Sequence, residues 1–292
     1  RGFHGITEGL HEVKNGDALS IGGHEFSFLM APMVHWPEVM FTYEQRKRVL
    51  FTADAFGSFG ALDGILRDSE LGNRSAYLRE MERYYACVIG KYGPFVQKAL
   101  ANMDKQGLAI DHLCPAHGVV WTPEGFGEAR RLYDRLSRFE AEDGVVILYG
   151  SMYGNTEQLA DVIAQSLSAA GIKRIVCHNV SKSDPSAILA DIFRYRGLII
   201  GSPTYCGELF TPIANLMNLI RIRDVKDRLY TAFGSYTWAP AAVKKLIPFA
   251  EEMKWEFVGE AVELKMSDLS SVLDLSWALG QAMAARLLAP KG

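Results

Sequence analysis

Residues 145–156 read Val-Val-Ile-Leu-Tyr-Gly-Ser-Met-Tyr-Gly-Asn-Thr. The uncharged run Val145 to Tyr149 has the length and β-branched content of a parallel strand covered on both faces. Gly150 ends it, and a short loop follows from Ser151 to Thr156. Beyond that loop, apolar residues fall at Leu159, Val162, Ile163 and Leu167, the spacing of a helix. A glycine- and hydroxyl-rich loop therefore lies between the carboxyl end of a strand and the amino end of a helix. Unpaired N–H groups and the helix dipole make that position favourable for phosphate, and Ser151 and Thr156 add hydroxyl donors. The loop lacks the lysine of G-x-x-x-x-G-K-[ST], which argues against a nucleoside triphosphate, and it is not G-x-G-x-x-G. A plain strand-to-helix turn has the same outline, and two later loops separate the readings.

Downstream, strand and helix patterns alternate. Arg174 to Val180 reads as a second strand, and Pro185 opens a helix running from Asp184 to Phe193. Gly197 to Gly201 is a third strand, with a helix over about Thr211 to Ile220. Leu229 to Gly234 is a fourth strand, followed by a helix over about Pro240 to Met253. A fifth strand is expected over Glu256 to Leu264, and a last helix over about Ser267 to Leu287. Five strands alternating with helices predict a doubly wound α/β domain with its ligand outside the strand carboxyl ends, at the switch point. Residues 202–207 and 234–239 then join the phosphate loop on that edge, bringing the flat side chains of Tyr205, Tyr236 and Trp238.

Upstream, residues 1 to about 42 read as short strands and turns. Asn15-Gly16 is a hairpin signal between Leu10–Val13 and Ala18–Ile21, and Gly22-Gly23 is a second. Val49 to Ala53 is another strand. Residues 73–106 are mostly helical, Ala109 to Cys114 is a short strand, and a helix spans about Pro123 to Glu140. Three residues share one setting: His35, Asp54 and His117 each follow a predicted strand and lie in a loop with Gly or Pro nearby. Loops held by a rigid sheet are where metal ligands collect. Two imidazoles and a carboxylate suit zinc or non-haem iron. Singly, each has a structural explanation, as a hydrogen-bonded histidine or a capping aspartate. His4, His11, His24, His112 and His178 lack this setting and read as surface or packing residues.

With 292 residues, about half of them hydrophobic, the chain is long enough for two domains; an acidic joint near Glu142-Asp-Gly144 divides it into 1–142 and 143–292. Its 31 basic and 34 acidic residues form no basic stripe for nucleic acid, and no apolar run approaches a membrane span. The 4 cysteines have no C-x-x-C spacing, which fits reduced thiols in a cytoplasmic protein. The opening Arg1-Gly-Phe-His-Gly has neither an initiator Met nor a signal-peptide pattern, and the chain is expected to begin part-way through a domain.

The loop at 151–156 resembles the flavodoxin signature [ST]-x-[ST/Y]-G-x-T, which wraps the phosphate of FMN. Ahead of it, A-P-M-V-H-W-P-E-V-M-F-T-Y, L-F-T-A-D-A-F-G and C-P-A-H-G-V-V-W resemble the second half of a metallo-β-lactamase-type αββα sandwich. That order of domains is similar to the flavodiiron proteins, and the likeness spans nearly the whole chain. It implies FMN held by Ser151, Met152, Tyr153, Gly154, Asn155, Thr156, Pro203, Thr204, Tyr205, Gly207, Ser235, Tyr236, Thr237, Trp238 and Ala239. It also implies iron ligation by His35, Asp54 and His117, with Asp54 bridging two irons. The family's other ligands come from an upstream H-x-E-x-D-H motif that these 292 residues do not contain. Thr237 and Ala239-Pro240 replace the small glycine-rich residues usual in the family, and are expected to alter the rim of the flavin site.

The implied activity is reduction of dioxygen to water, of nitric oxide to nitrous oxide, or of both. Electrons would arrive from rubredoxin or an NAD(P)H-dependent reductase and pass through FMN to a diiron centre. A head-to-tail homodimer is implied as well. Two other readings compete: a flavodoxin-like electron carrier with a remnant N-terminal portion, and a zinc hydrolase, which has no need of a flavin domain.

Overall fold

The computed structural model describes residues 5–290; His4 lies outside them. The chain divides into two units. One comprises the described residues up to Met81 together with Tyr92–Ser137, and the other Glu82–Lys91 together with the described residues from Arg138 onward.

In the first unit β1 (Ala18–Ile21), β2 (His24–Met30), β3 (Met40–Glu44) and β4 (Val49–Phe51) form an antiparallel meander. Helices α1 (Arg74–Tyr84) and α2 (Gly93–Gln106) lead to β5 (His112–Cys114), which pairs in parallel with β4, and α3 (Pro123–Ser137) follows. The Gly22-Gly23 hairpin forms, with Ile21 opposite His24. The expected strand over Leu10–Val13 does not. Asn15-Gly16 is a turn, but its partner is β2: the Asn15 side chain accepts the Met30 N–H at 2.9 Å, and the Gly16 N–H reaches the Phe28 carbonyl at 2.8 Å. Leu50, Leu113, Trp121 and Tyr133 are fully buried at the centre of this unit.

In the second unit β6 (Glu142–Tyr149), α4 (Asn155–Ala169), β7 (Ile175–Asn179), α5 (Pro185–Arg194) and β8 (Tyr195–Tyr205) follow in order. Then come β9 (Glu208–Leu209), α6 (Thr211–Ile222), β10 (Leu229–Tyr236), α7 (Ala242–Leu246) and α8 (Pro248–Met253). The last elements are β11 (Glu256–Phe257), β12 (Val262–Lys265) and α9 (Leu273–Leu288). The sheet order is β11-β10-β8-β6-β7 with β12 also on β10, and these pairings are all parallel. Renumbered by crossover this is 2-1-3-4-5, the flavodoxin-like doubly wound order. Val145–Leu148 are fully buried because helices cover both faces of the sheet.

Two elements of the second unit also differ from expectation. Pro248 cannot supply the N–H a continuous helix needs, so residues 242–253 form two helices instead of one. The fifth strand is interrupted, and β11 and β12 pair separately with the two ends of β10.

Residues 82–91 lie among helices in the sequence of the first unit but pack in the second. Tyr85–Ile89 form a π-helical segment in which Tyr85 and Ile89 are buried. Arg83 donates to the Ser186 hydroxyl at 2.8 Å, Arg223 donates to the Ala86 carbonyl at 3.2 Å, and the Tyr85 and Phe193 rings meet at 6.2 Å. Among the described residues no helix is long and apolar enough to cross a membrane.

Candidate functional site

The first site lies at the carboxyl ends of β6, β8 and β10. A cavity of about 410 Å³ opens there, lined by the last residues of β8 and β10 and by the segments that follow all three strands. Its walls are Ser151, Met152 and Tyr153 from the first loop with Asn155 and Thr156 opening α4, and Pro203, Thr204 and Tyr205 ending β8 with Cys206 beyond them. Ser235 and Tyr236 at the end of β10, with Thr237 and Trp238 after them, complete it. Three expected residues, Gly154, Gly207 and Ala239, are not in the lining, and Cys206 is in it without having been expected.

Each loop is held locally. The Tyr149 hydroxyl donates to the Glu157 carboxylate at 2.8 Å, closing the first loop between the strand end and the helix start. Burial, then this carboxylate, pushes the Tyr149 pKa well above the usual phenol range, so the hydroxyl keeps its proton. Within the loop, the Gly154 N–H donates to Ser151 Oγ at 3.1 Å. Thr156, at the start of α4, is 1 % exposed, and its hydroxyl meets the Ser235 hydroxyl at 2.8 Å, joining the first loop to the third.

The second loop is a two-residue hairpin. Thr204 pairs with Leu209 and Tyr205 with Glu208, leaving Cys206 and Gly207 at the tip with φ of 51° and 72°. A turn with both central residues left-handed matches the twist of the flanking strands and is most easily met by glycine at the second position. It turns Cys206 into the cavity lining. Thr204 Oγ1 accepts the Ala241 and Ala242 N–H groups at 3.1 and 3.0 Å, fixing the chain beyond the third loop.

Chemically the cavity has two ends. Ser151, Asn155 and Thr156 surround the amino end of α4, where free N–H groups favour an anion. Elsewhere large rings face open space: Trp238 is 86 % and Tyr153 84 % exposed. Apolar rings left this open to water around a cavity favour a flat ligand that covers them.

The second site is in the first unit. Asp54 faces two imidazoles with its two oxygens: Oδ2 is 3.6 Å from His35 Nε2, and Oδ1 is 3.5 Å from His117 Nε2. Three loops bring them together. Asp54 follows β4, His117 follows β5, and His35 lies between β2 and β3. Backbone hydrogen bonds lace the first two loops: Thr52 N–H to the Cys114 carbonyl, Ala116 N–H to Ala53, and Ser58 N–H to His117, at 3.1, 2.6 and 3.3 Å. Ala53 and Phe56 flank Asp54 in left-handed conformations, at φ of 48° and 66°. Such backbone in non-glycine residues persists only where the surroundings over-determine it.

Two imidazole nitrogens and a carboxylate are donors that first-row metals accept. They make part of a metal site and do not close it: among the described residues, no group of three or more His, Cys, Asp or Glu is arranged to hold an ion. Of the other histidines, His24 pairs with Glu44 at 3.0 Å and the partly buried His178 with Asp191 at 2.7 Å, so both are tied up structurally.

Residues 147–277 match the flavodoxin family, and residues 4–118 match the ODP family of β-lactamase-like domains. The chain's two domains, in this order, are similar to those of the flavodiiron proteins. It is 29 % identical over 293 residues to an anaerobic nitric oxide reductase flavorubredoxin of Aeromonas hydrophila subsp. hydrophila, covering 96 % of this chain and 58 % of that one. It superposes on rubredoxin oxygen:oxidoreductase from Desulfovibrio gigas with a TM-score of 0.92 and 26 % identity, covering 98 % of this chain and 71 % of that one. A variant of the flavo di-iron protein of Thermotoga maritima gives a TM-score of 0.85 at 27 % identity, with 98 % and 70 % covered. This chain joins a lactamase-like domain to a flavodoxin-like one. It spans about half the length of the flavorubredoxins it matches.

Proposed function

We propose that this chain is an oxidoreductase, with a lactamase-like domain up to residue 142 and an FMN domain from 143, that passes electrons through FMN to a diiron centre reducing nitric oxide, dioxygen or both. The observation that carries the reading is the convergence of the three strand-end loops on one cavity, polar at the amino end of α4 and aromatic elsewhere. Relatives named as nitric oxide reductase and as rubredoxin oxygen:oxidoreductase support both substrates.

On this reading Ser151, Asn155, Thr156 and the N–H groups opening α4 bind the FMN phosphate. Met152, Tyr153, Tyr205, Tyr236 and Trp238 cover the ring faces and exclude water from them. Pro203, Thr204, Ser235 and Thr237 shape the wall between, with Gly154, Gly207 and Ala239 setting the backbone of the three loops. In the other unit His35, Asp54 and His117 would be the residues that hold iron, with Asp54 as the ligand shared between the two imidazoles. When bound, FMN takes up two electrons and releases them singly, and the paired irons neutralise charge developing on the substrate oxygens. The protein residues hold these groups rigidly and do not themselves change redox state.

The same reading takes reduced rubredoxin, or an NAD(P)H-dependent reductase, as electron donor, and a head-to-tail homodimer as the working form. A cytoplasmic setting is supported by the four free thiols, Cys87, Cys114, Cys177 and Cys206.

The test is the iron and flavin content of one purified sample, followed by anaerobic nitric oxide and aerobic oxygen consumption with reduced rubredoxin. One FMN per chain, and two irons with turnover of either gas where the H-x-E-x-D-H ligands are also supplied, is the expected result. FMN without iron and without turnover would replace the reductase by a flavodoxin-like carrier.

A further inference from the structure

Two buried aromatic side chains hold the loops of Asp54 and His117, and neither is itself a metal donor. Tyr77, on α1, accepts the Val119 N–H at its hydroxyl at 2.9 Å, two residues past His117. Trp121 donates its Nε1–H to the Phe56 carbonyl at 3.0 Å, two residues past Asp54. The two rings meet edge to face, with centroids 5.7 Å apart and planes at 68°. Hydroxyl, rings and indole N–H thus form one continuous bridge from the His117 loop to the Asp54 loop. Trp121 is fully buried and Tyr77 nearly so, and water does not compete for either hydrogen bond.

The packing leaves little freedom for either loop. At Gly118, where φ is +94°, an added Cβ would fall 2.3 Å from the Tyr77 hydroxyl. Phe56 is buried against Phe126 and Tyr133, with centroids at 5.2 and 4.8 Å, so its carbonyl is presented to Trp121 from a fixed position. Arg74 lies over the Trp121 ring at 5.9 Å and bonds the buried Asp68 at 3.1 Å. Asp68 in turn accepts the Thr122 N–H at 2.6 Å, so the indole is fixed from its other side as well.

We propose that Tyr77 and Trp121 are positioning residues for the metal site, a single aromatic bridge that sets the separation between the Asp54 carboxylate and the His117 imidazole. The inference rests on the metal reading of those two residues and extends it to groups that touch no metal. Outer partners that orient ligands in this way change metal affinity by about 10- to 100-fold when removed.

The experiment uses the whole chain with Co(II) as the probe, read by its visible absorption, in the wild type and in Tyr77→Phe, Trp121→Phe and His117→Ala. Trp255→Phe is the matched control: it loses an equivalent buried indole bond, to the Val225 carbonyl at 3.0 Å, in the other unit. Cobalt binding is expected in the wild type and in Trp255→Phe, and its loss in His117→Ala. Tyr77→Phe and Trp121→Phe should bind about 10- to 100-fold more weakly, with shifted bands at saturation. Wild-type affinity and spectrum in both bridge variants would overturn the proposal. If the wild type takes no cobalt, the metal reading fails by itself, and amide exchange decides the bridge. Faster exchange at Val119 and Ser58 in Tyr77→Phe but not in Trp255→Phe would sustain it, and unchanged protection would overturn it.

Discussion

The hydroxyls of Thr156 and Ser235 lie 2.8 Å apart beneath the cavity, both buried, and they join the phosphate-side loop to the aromatic one. Seventy-nine residues separate them in sequence, so this bond makes one rigid floor of two loops. Thr156→Val keeps the shape and removes the hydroxyl. FMN affinity should fall about tenfold, the equivalent of ~1.4 kcal/mol, measured by flavin fluorescence titration. Ser235→Ala should do nearly the same, and the double variant should lose less than the sum of the two. Full additivity would mean that the two hydroxyls act separately.

Trp238 offers almost its whole ring to solvent at the cavity mouth. Trp238→Ala should weaken FMN by roughly 5- to 10-fold and Trp238→Phe by much less, since aromatic pairs contribute ~0.5–1.5 kcal/mol beyond buried area. Unchanged affinity in Trp238→Ala would remove Trp238 from the ring-covering set.

Glu263, on β12 opposite Gly234, has its carboxyl pKa raised above the ordinary value of 4.5 by burial, partly offset by the Val243 N–H. The folded chain therefore holds this proton more tightly than the unfolded chain. Its contribution to stability is complete below the unfolded pKa and is lost as pH rises through the folded one. Glu263→Gln should raise the urea midpoint at pH 7 and leave it unchanged near about pH 3.5, where the wild-type carboxyl is protonated in both states. An equal gain at both values would show that the charge is not responsible.

Arg228 is fully buried and gives its guanidinium hydrogens to five backbone carbonyls, those of Phe139, Ile192, Phe193, Lys226 and Asp227. Burial pulls its pKa down to about 10, which still leaves it charged at neutral pH. Arg228→Met leaves those carbonyls without a donor and should cost about 3 kcal/mol or more by chemical denaturation. Arg228→Lys should recover little of it, because one ammonium cannot reach acceptors arranged around a planar fork.

The doubly wound sheet and the phosphate loop were legible in the sequence because both signals are local: an apolar run, a glycine, hydroxyls and a helical period within a few dozen residues. His35, Asp54 and His117 were legible as three loop residues after strands in one shared setting, and the resemblance assigned them to iron; their shared carboxylate geometry needed the sheet. Cys206 was missed because its place in the cavity depends on a left-handed turn conformation, which a thiol side chain does not announce. Leu10–Val13 carried a strand-like pattern but had no partner, since Asn15 and Gly16 bond β2 instead. The interruption between β11 and β12 follows from pairing along β10, a long-range choice.

The return of residues 82–91 to the second unit bears on how the protein is made. This segment leaves the ribosome well before Ser186, Phe193 and Arg223, the residues it packs against and bonds. Its buried Tyr85 and Ile89 stay unsheltered until most of the flavodoxin-like sheet has been synthesised. The growing chain thus carries an apolar segment still waiting for its cover, and that interval is when a nascent-chain chaperone has most to do.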